Sequence, residues 1–136
     1  MTDAKATGLP GFEERALEAR GSHLRYLVAG EGDPLVLVHG LGGSAANWLA
    51  LAPLLLPGRR LIVPELPGHG GSSPLPAAPS LNPYADLLGL LLEHEGVAPG
   101  AVVGHSLGGA IALRLAIRRP EAVSSLVLAA AAGISS

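Results

Sequence analysis

Ser106 sits in Gly104-His105-Ser106-Leu107-Gly108, a G-x-S-x-G pattern between the apolar run Ala101-Val102-Val103 and the helix-forming Ala110-Ile111-Ala112-Leu113. In that context the pattern reads as a tight strand-to-helix turn that holds a serine at its tip. Glycine is needed on both sides because strand and helix approach so closely there that a Cβ at Gly104 or Gly108 would clash. The start of the following helix offers free N–H groups and a positive dipole end to a developing oxyanion, the Leu107 amide among them. An oxyanion site needs two backbone donors aimed at one point. A second glycine-rich turn, Val38-His39-Gly40-Leu41-Gly42-Gly43, follows an upstream strand and can supply the other.

A serine hydroxyl is a poor nucleophile until a histidine takes its proton and an acid orients that histidine. The base must come within about 3 Å of the serine oxygen. Of the five histidines, His105 neighbours the nucleophile, but adjacent side chains on such a turn point apart. His39 belongs to its own turn, His69 to the loop after the fourth strand, His94 to a helix end and His23 to the second strand. None of them reads as the base.

The elements that must position these groups alternate. Residues 1–11 form a polar lead. Phe12–Arg20 and His23–Ala29 read as two strands joined at Gly21. Pro34–Val38, Leu61–Val63 and Ala101–Val103 are continuous apolar runs, the mark of strands buried on both faces. A helix is expected over about Asn47–Leu56, weakened by Pro53. Pro64–Pro83 reads as a long loop. Tyr84–Glu95 carries Leu87, Leu88, Leu91 and Leu92 at helical spacing. Leu107–Arg119 reads as a helix and Val123–Ala129 as a last strand. This alternation predicts one α/β domain over 1–136, a doubly wound, mostly parallel sheet covered on both faces.

Composition narrows the function. Hydrophobic residues make up 49% and charged residues 15%, against about 25% charged in an average globular domain. A net charge of −2 gives no electrostatic reason to expect nucleic acid or an anionic membrane. The one basic cluster, Arg114, Arg118 and Arg119, precedes Pro120 and reads as cations complementing a helix C-terminus. With no cysteine there is neither disulfide nor thiolate chemistry, which fits a reducing cytoplasm. Met1–Lys5 lacks the apolar region of a signal peptide, and no 18-residue apolar run suits a spanning helix. A cytoplasmic location is expected.

Three motifs in order, His39-Gly40, then Leu66-Pro67-Gly68-His69-Gly70-Gly71-Ser72, then Gly104 to Gly109, resemble the N-terminal portion of an α/β-hydrolase of the single-domain esterase, prolyl-aminopeptidase and haloperoxidase type. The likeness runs from about Glu14 to Gly133. It implies that Ser106 is the nucleophile of an acyl-enzyme, that the Leu41 and Leu107 N–H groups form the oxyanion hole, and that Trp48 packs near the pocket. Gly40, Gly42, Gly104 and Gly108 are the turn and elbow glycines of that scheme. Glu65 stands where the family's loop motif usually begins with Asp, a structural hydrogen-bonding position. No metal or organic cofactor is implied, and the expected partner is a small acyl substrate. A serine argues against the haloalkane and epoxide chemistry of aspartate nucleophiles.

In the family the acid follows the seventh strand and the histidine the eighth, whereas the sixth is the last strand here. Residues 130–136 hold neither a carboxylate nor a histidine. The 136 residues by themselves are therefore expected to be inactive or nearly so, with an apolar edge at Ser125–Leu128 that invites self-association.

Two other readings compete. Gly40-Leu41-Gly42-Gly43-Ser44-Ala45 also fits G-x-G-x-x-A after a strand, with Glu65 placed to hold a ribose, as in a dinucleotide-binding unit. Alternatively, the chain is a non-catalytic binding module that has kept the pocket and lost the base.

Overall fold

The computed structural model describes residues 9–75 and 80–129. A two-residue turn at Arg20 and Gly21 folds β1 (Glu13–Ala19) against β2 (Ser22–Gly30). Both turn residues have positive φ, 53° and 73°, which the right-handed twist of a tight hairpin demands. The remaining strands are β3 (Asp33–Val38), β4 (Arg59–Pro64), β5 (Gly100–His105) and β6 (Val123–Ala129).

The six strands form one sheet in the order β1-β2-β4-β3-β5-β6. β1, β2 and β4 pair antiparallel, and β4, β3, β5 and β6 pair parallel. The predicted mostly parallel sheet is present, and residues 130–136, where the likeness ended, lie outside the described residues.

The crossovers decide which face each helix covers. From β3 the chain steps toward β2 to make β4, then returns past β3 to β5 and on to β6. Right-handed crossovers in opposite directions place their helices on opposite faces. The first carries a 3-10 turn (Ala45–Trp48) and the four-residue α1 (Ala52–Leu55). The others carry α2 (Asn82–His94) and α3 (Leu107–Arg118). The single helix expected over Asn47–Leu56 is thus broken in two. Pro53, which cannot donate to a preceding turn, sits in the first turn of α1, where its missing N–H costs nothing.

Alternation along the strands separates two apolar cores. Val36, Val38, Ile62 and Val102 face α2 and α3, against Leu87, Leu91, Leu92, Ile111 and Leu115. Leu27, Leu37, Leu61 and Val63 face the other way, against Leu9, Phe12, Trp48 and Ala52. Arg118 stands in the last turn of α3, as expected, and all three arginines also tie that helix to α2. Arg114 donates to Asn82 at 3.1 Å, Arg118 to Asp86 at 3.1 Å and Arg119 to Glu93 at 2.5 Å.

Where α2 ends and the parallel strands begin, the Glu95 carboxylate accepts from Arg15 Nη1 at 3.0 Å, from Arg60 Nη2 at 2.5 Å and from the Tyr26 hydroxyl. One carboxylate therefore fastens α2 to three strands. Burial drives the Glu95 carboxyl toward protonation, but these donors outweigh it and hold it below the usual carboxylate value. Burial, aided by the same contact, pushes the Tyr26 phenol well above its ordinary range.

Candidate active site

β3 and β5 are neighbours from which the crossovers diverge, and open α/β sheets bind ligands beyond the carboxyl ends of such strands. Ser106 lies there, between β5 and α3, with φ 55° and ψ −120°. A non-glycine residue held in that region stores about 1–3 kcal/mol, so its surroundings must fix it. Three glycines make room for them. A Cβ on Gly104 would lie 2.5 Å from Gly109 Cα, and one on Gly108 would lie 2.3 Å from the His39 carbonyl oxygen. One on Gly40 would lie 2.9 Å from Ser106 Cβ. The end of β3, the end of β5 and the start of α3 therefore converge on one point.

The Ser106 amide donates to the Ala129 carbonyl at 3.2 Å, so the first amide left open at the elbow is that of Leu107. The half-buried Ser106 side chain caps nothing and has no hydrogen-bond partner among the described residues. No described histidine bonds to it. His105 is exposed, with its Nδ1 directed toward Gly40.

The loop after β3 closes as a turn in which Gly43 N–H donates to the Gly40 carbonyl at 3.1 Å. Gly42 has φ 75° at the third position, as a type II turn requires. Leu41, at the second position, is 76% exposed. Its amide makes no hydrogen bond among the described residues.

Three bonds then join this turn to the loop after β4. Leu66 N–H donates to His39 Nε2 at 2.9 Å, and Gly42 N–H donates to His69 Nε2 at 2.9 Å. The buried Glu65 carboxylate accepts from Ala45 N–H and from Gly71 N–H, both at 2.9 Å, and from Arg25 Nη1 at 2.6 Å. Each loop thus lends a histidine acceptor to the other's backbone. An imidazole that accepts at Nε2 carries its proton on Nδ1. The Nδ1 atoms face carbonyl oxygens, Gly40 at 2.7 Å for His39 and Pro67 at 3.1 Å for His69. Burial pushes the fully enclosed His39 imidazole below its ordinary value, against the opposing pull of the Gly40 carbonyl.

Beside the elbow lies a cavity of about 340 Å³ whose lining includes Leu41, His69, Ser80, Tyr84, Leu107 and Ile111, with Leu66, Pro67 and Leu81. Its walls are mostly apolar. The sequence pointed to Leu41 and Leu107 but not to Tyr84, Leu81 or Ile111, which read only as helix and loop residues. Two expectations need correction. Trp48 does not line this cavity: it packs in the core on the opposite face of the sheet, its indole N–H without a partner among the described residues. The first crossover runs on that face and carries the tryptophan away from the site. Glu65 has no oxygen open for a ribose, because the carboxylate is 2% exposed and already accepts three hydrogen bonds. The dinucleotide reading also needs a helix at the end of its glycine loop, and here only a single 3-10 turn follows. Among the described residues no group of His, Cys, Asp or Glu could hold a metal ion, and no helix is long and apolar enough to cross a membrane.

Comparison with known proteins agrees with this geometry. Residues 33–136 match the model of the alpha/beta hydrolase fold, and the chain belongs to that family. It is 43% identical over 136 residues to the dihydrolipoyllysine-residue acetyltransferase component of the acetoin cleaving system of Pseudomonas putida, covering 98% of this chain and 37% of that protein. It is 46% identical over 95 residues to the pimeloyl-[acyl-carrier protein] methyl ester esterase of Aromatoleum aromaticum, covering 69% of this chain and 35% of the esterase. An alpha/beta hydrolase fold protein from Burkholderia ambifaria superposes with a TM-score of 0.81 at 33% identity, covering 90% of this chain and 45% of that structure. The chain spans less than half the length of each.

Proposed function

We propose that Ser106 is the nucleophile of a serine hydrolase that cleaves an ester or related acyl bond. The observation that carries this reading is the convergence of the strained Ser106 with two turns whose leading amides, Leu41 and Leu107, are left open. Ser106 Oγ attacks the acyl carbonyl, and the two N–H groups hold the oxyanion that forms. The alcohol leaves, and water releases the acid from the acyl-enzyme. The mostly apolar cavity suits a small apolar group on the substrate. The acetyltransferase and methyl ester esterase names of the relatives support acyl chemistry.

No described histidine reaches Ser106, so the test of this reading is one that needs no histidine base. A preformed oxyanion site still accelerates attack by about 10³–10⁴ when the base is missing. An alkyl fluorophosphonate at pH 9 reads this directly. The Ser106 oxygen–phosphorus bond forms, fluoride leaves, and hydroxide takes the proton. Peptide mapping then compares Ser106 with the exposed Ser124 of β6. The expected ratio of labelling rates is about 100 or more. A ratio near one overturns the reading, and ligand affinity that survives Ser106→Ala would then identify a binding module.

A further inference from the structure

We propose that His69 is a positioning residue for the oxyanion site, holding the turn that carries the Leu41 amide. This inference rests on the Ser106 reading above. The turn Gly40–Gly43 has one internal bond, from Gly43 to Gly40. A four-residue turn closed by that bond alone can flip its central peptide between type I and type II geometry. In the second, the third residue has positive φ and the central N–H faces the opposite side. Gly42 has no Cβ to resist either state. The central peptide is Leu41–Gly42, and its N–H is the group that His69 Nε2 accepts at 2.9 Å.

The ring is set for this task. Its Nδ1 faces the Pro67 carbonyl at 3.1 Å, which places the proton on Nδ1 and leaves the Nε2 lone pair free to accept. The His39 ring, whose centroid is 5.1 Å away, makes the converse bond from the turn to Leu66. His39 is completely buried and holds the base of the turn, whereas His69 is half-buried and lines the cavity. His69 is therefore the contact that fixes the exposed part of the turn, where Leu41 meets a ligand. The flip turns only the Leu41–Gly42 peptide and leaves φ of Leu41 unchanged. Loss of the His69 bond therefore acts by letting the Gly40–Gly43 turn shift as a unit from the elbow, which leaves the Leu41 donor present but misplaced.

Two variants separate positioning from mere stability. His69→Ala removes the acceptor. In His69→Gln the side-chain carbonyl reaches the former Nε2 position and restores it. The first readout is the scalar coupling between the Gly42 and His69 nitrogens across the N–H···N bond in labelled protein. It is expected in the unmodified chain and absent in both variants. The second is hydrogen exchange of the Gly42 amide, slow in the unmodified chain and in His69→Gln, fast in His69→Ala. The third is the Ser106-to-Ser124 labelling ratio with the fluorophosphonate. It should fall about tenfold in His69→Ala, short of the 10²–10³ typical of losing a donor outright, and recover in His69→Gln.

A missing coupling in the unmodified chain overturns the proposal. So does a labelling ratio that stays high in His69→Ala, and that result leaves Ser106 standing as the nucleophile. A ratio near one in the unmodified chain overturns the Ser106 reading, and the His69 proposal with it.

Discussion

Two buried carboxylates stand at opposite ends of the parallel strands. Glu65, just beyond β4, takes an arginine and two backbone N–H groups from two separate loops. Glu95, at the end of α2, takes two arginines and a tyrosine from three strands. The first therefore fixes the backbone of the two loops beside the Ser106 elbow, and the second fixes side chains that clamp a helix to the sheet. Donor type separates them. A backbone amide that loses its acceptor cannot turn to water when buried, whereas a long arginine at the rim can. The site end is the less forgiving of the two.

The largest expected effect breaks that comparison at its stronger member. Glu65→Ala removes the acceptor of the buried Ala45 amide and of the Gly71 amide, and one of the carboxylates on Arg25, which keeps Glu14 at 3.1 Å. It should cost about 2–4 kcal/mol in urea unfolding. The surviving folded protein should also lose the Ser106 labelling preference. Glu95→Ala should cost about 1–2 kcal/mol, since Arg15 and Arg60 are partly exposed, and should leave that preference intact. Equal losses of preference in both variants would show that the ends do not differ in function.

A smaller effect of opposite sign tests the strain itself. Ser106→Gly should stabilise the fold by about 1 kcal/mol, because glycine adopts φ 55° without penalty. A variant less stable than the parent would show that the elbow is relaxed.

Acid separates the two ends by pH. His39 has a folded-state value below its ordinary 6.5, so the unfolded chain binds the proton first and stability falls as pH drops below about 6.5. Glu95 is depressed below 4.5, so its contribution is complete above that pH and is lost only as pH falls through its lower folded value. Unfolding free energies measured from pH 7.5 to 3 should show a first loss at the site end and a second at the helix end. His39→Gln should flatten the first and leave the second unchanged.

Much of this was legible in the sequence, because the elbow depends on steric exclusion. Gly104 and Gly108 are needed wherever strand and helix meet so closely, and the apolar runs around them fix which elements those are. The hairpin and β6 followed from local pattern as well. What could not be read depends on approach in space. His69 and Gly42 belong to different loops, and no local spacing shows that a ring nitrogen of one will accept from the amide of the other. The position of Trp48 turns on the direction of a crossover, which only the strand order settles. The roles of Tyr26, Arg15 and Arg60 around Glu95 require three strands to be adjacent. Pro53 marks a weak point in the expected helix, but the break falls before it, at 49–51, and no local pattern gives the lengths of the two pieces.

The bond from the Ser106 amide to the Ala129 carbonyl bears on the order in which the molecule is made. The elbow's own residues, and both strands that flank it on the β3 side, leave the ribosome before β6 does. Until β6 docks against β5, the serine backbone lacks the tether that takes up its amide and leaves the strained conformation least supported. The elbow's backbone hydrogen bonding is thus complete only when β6 is paired with β5.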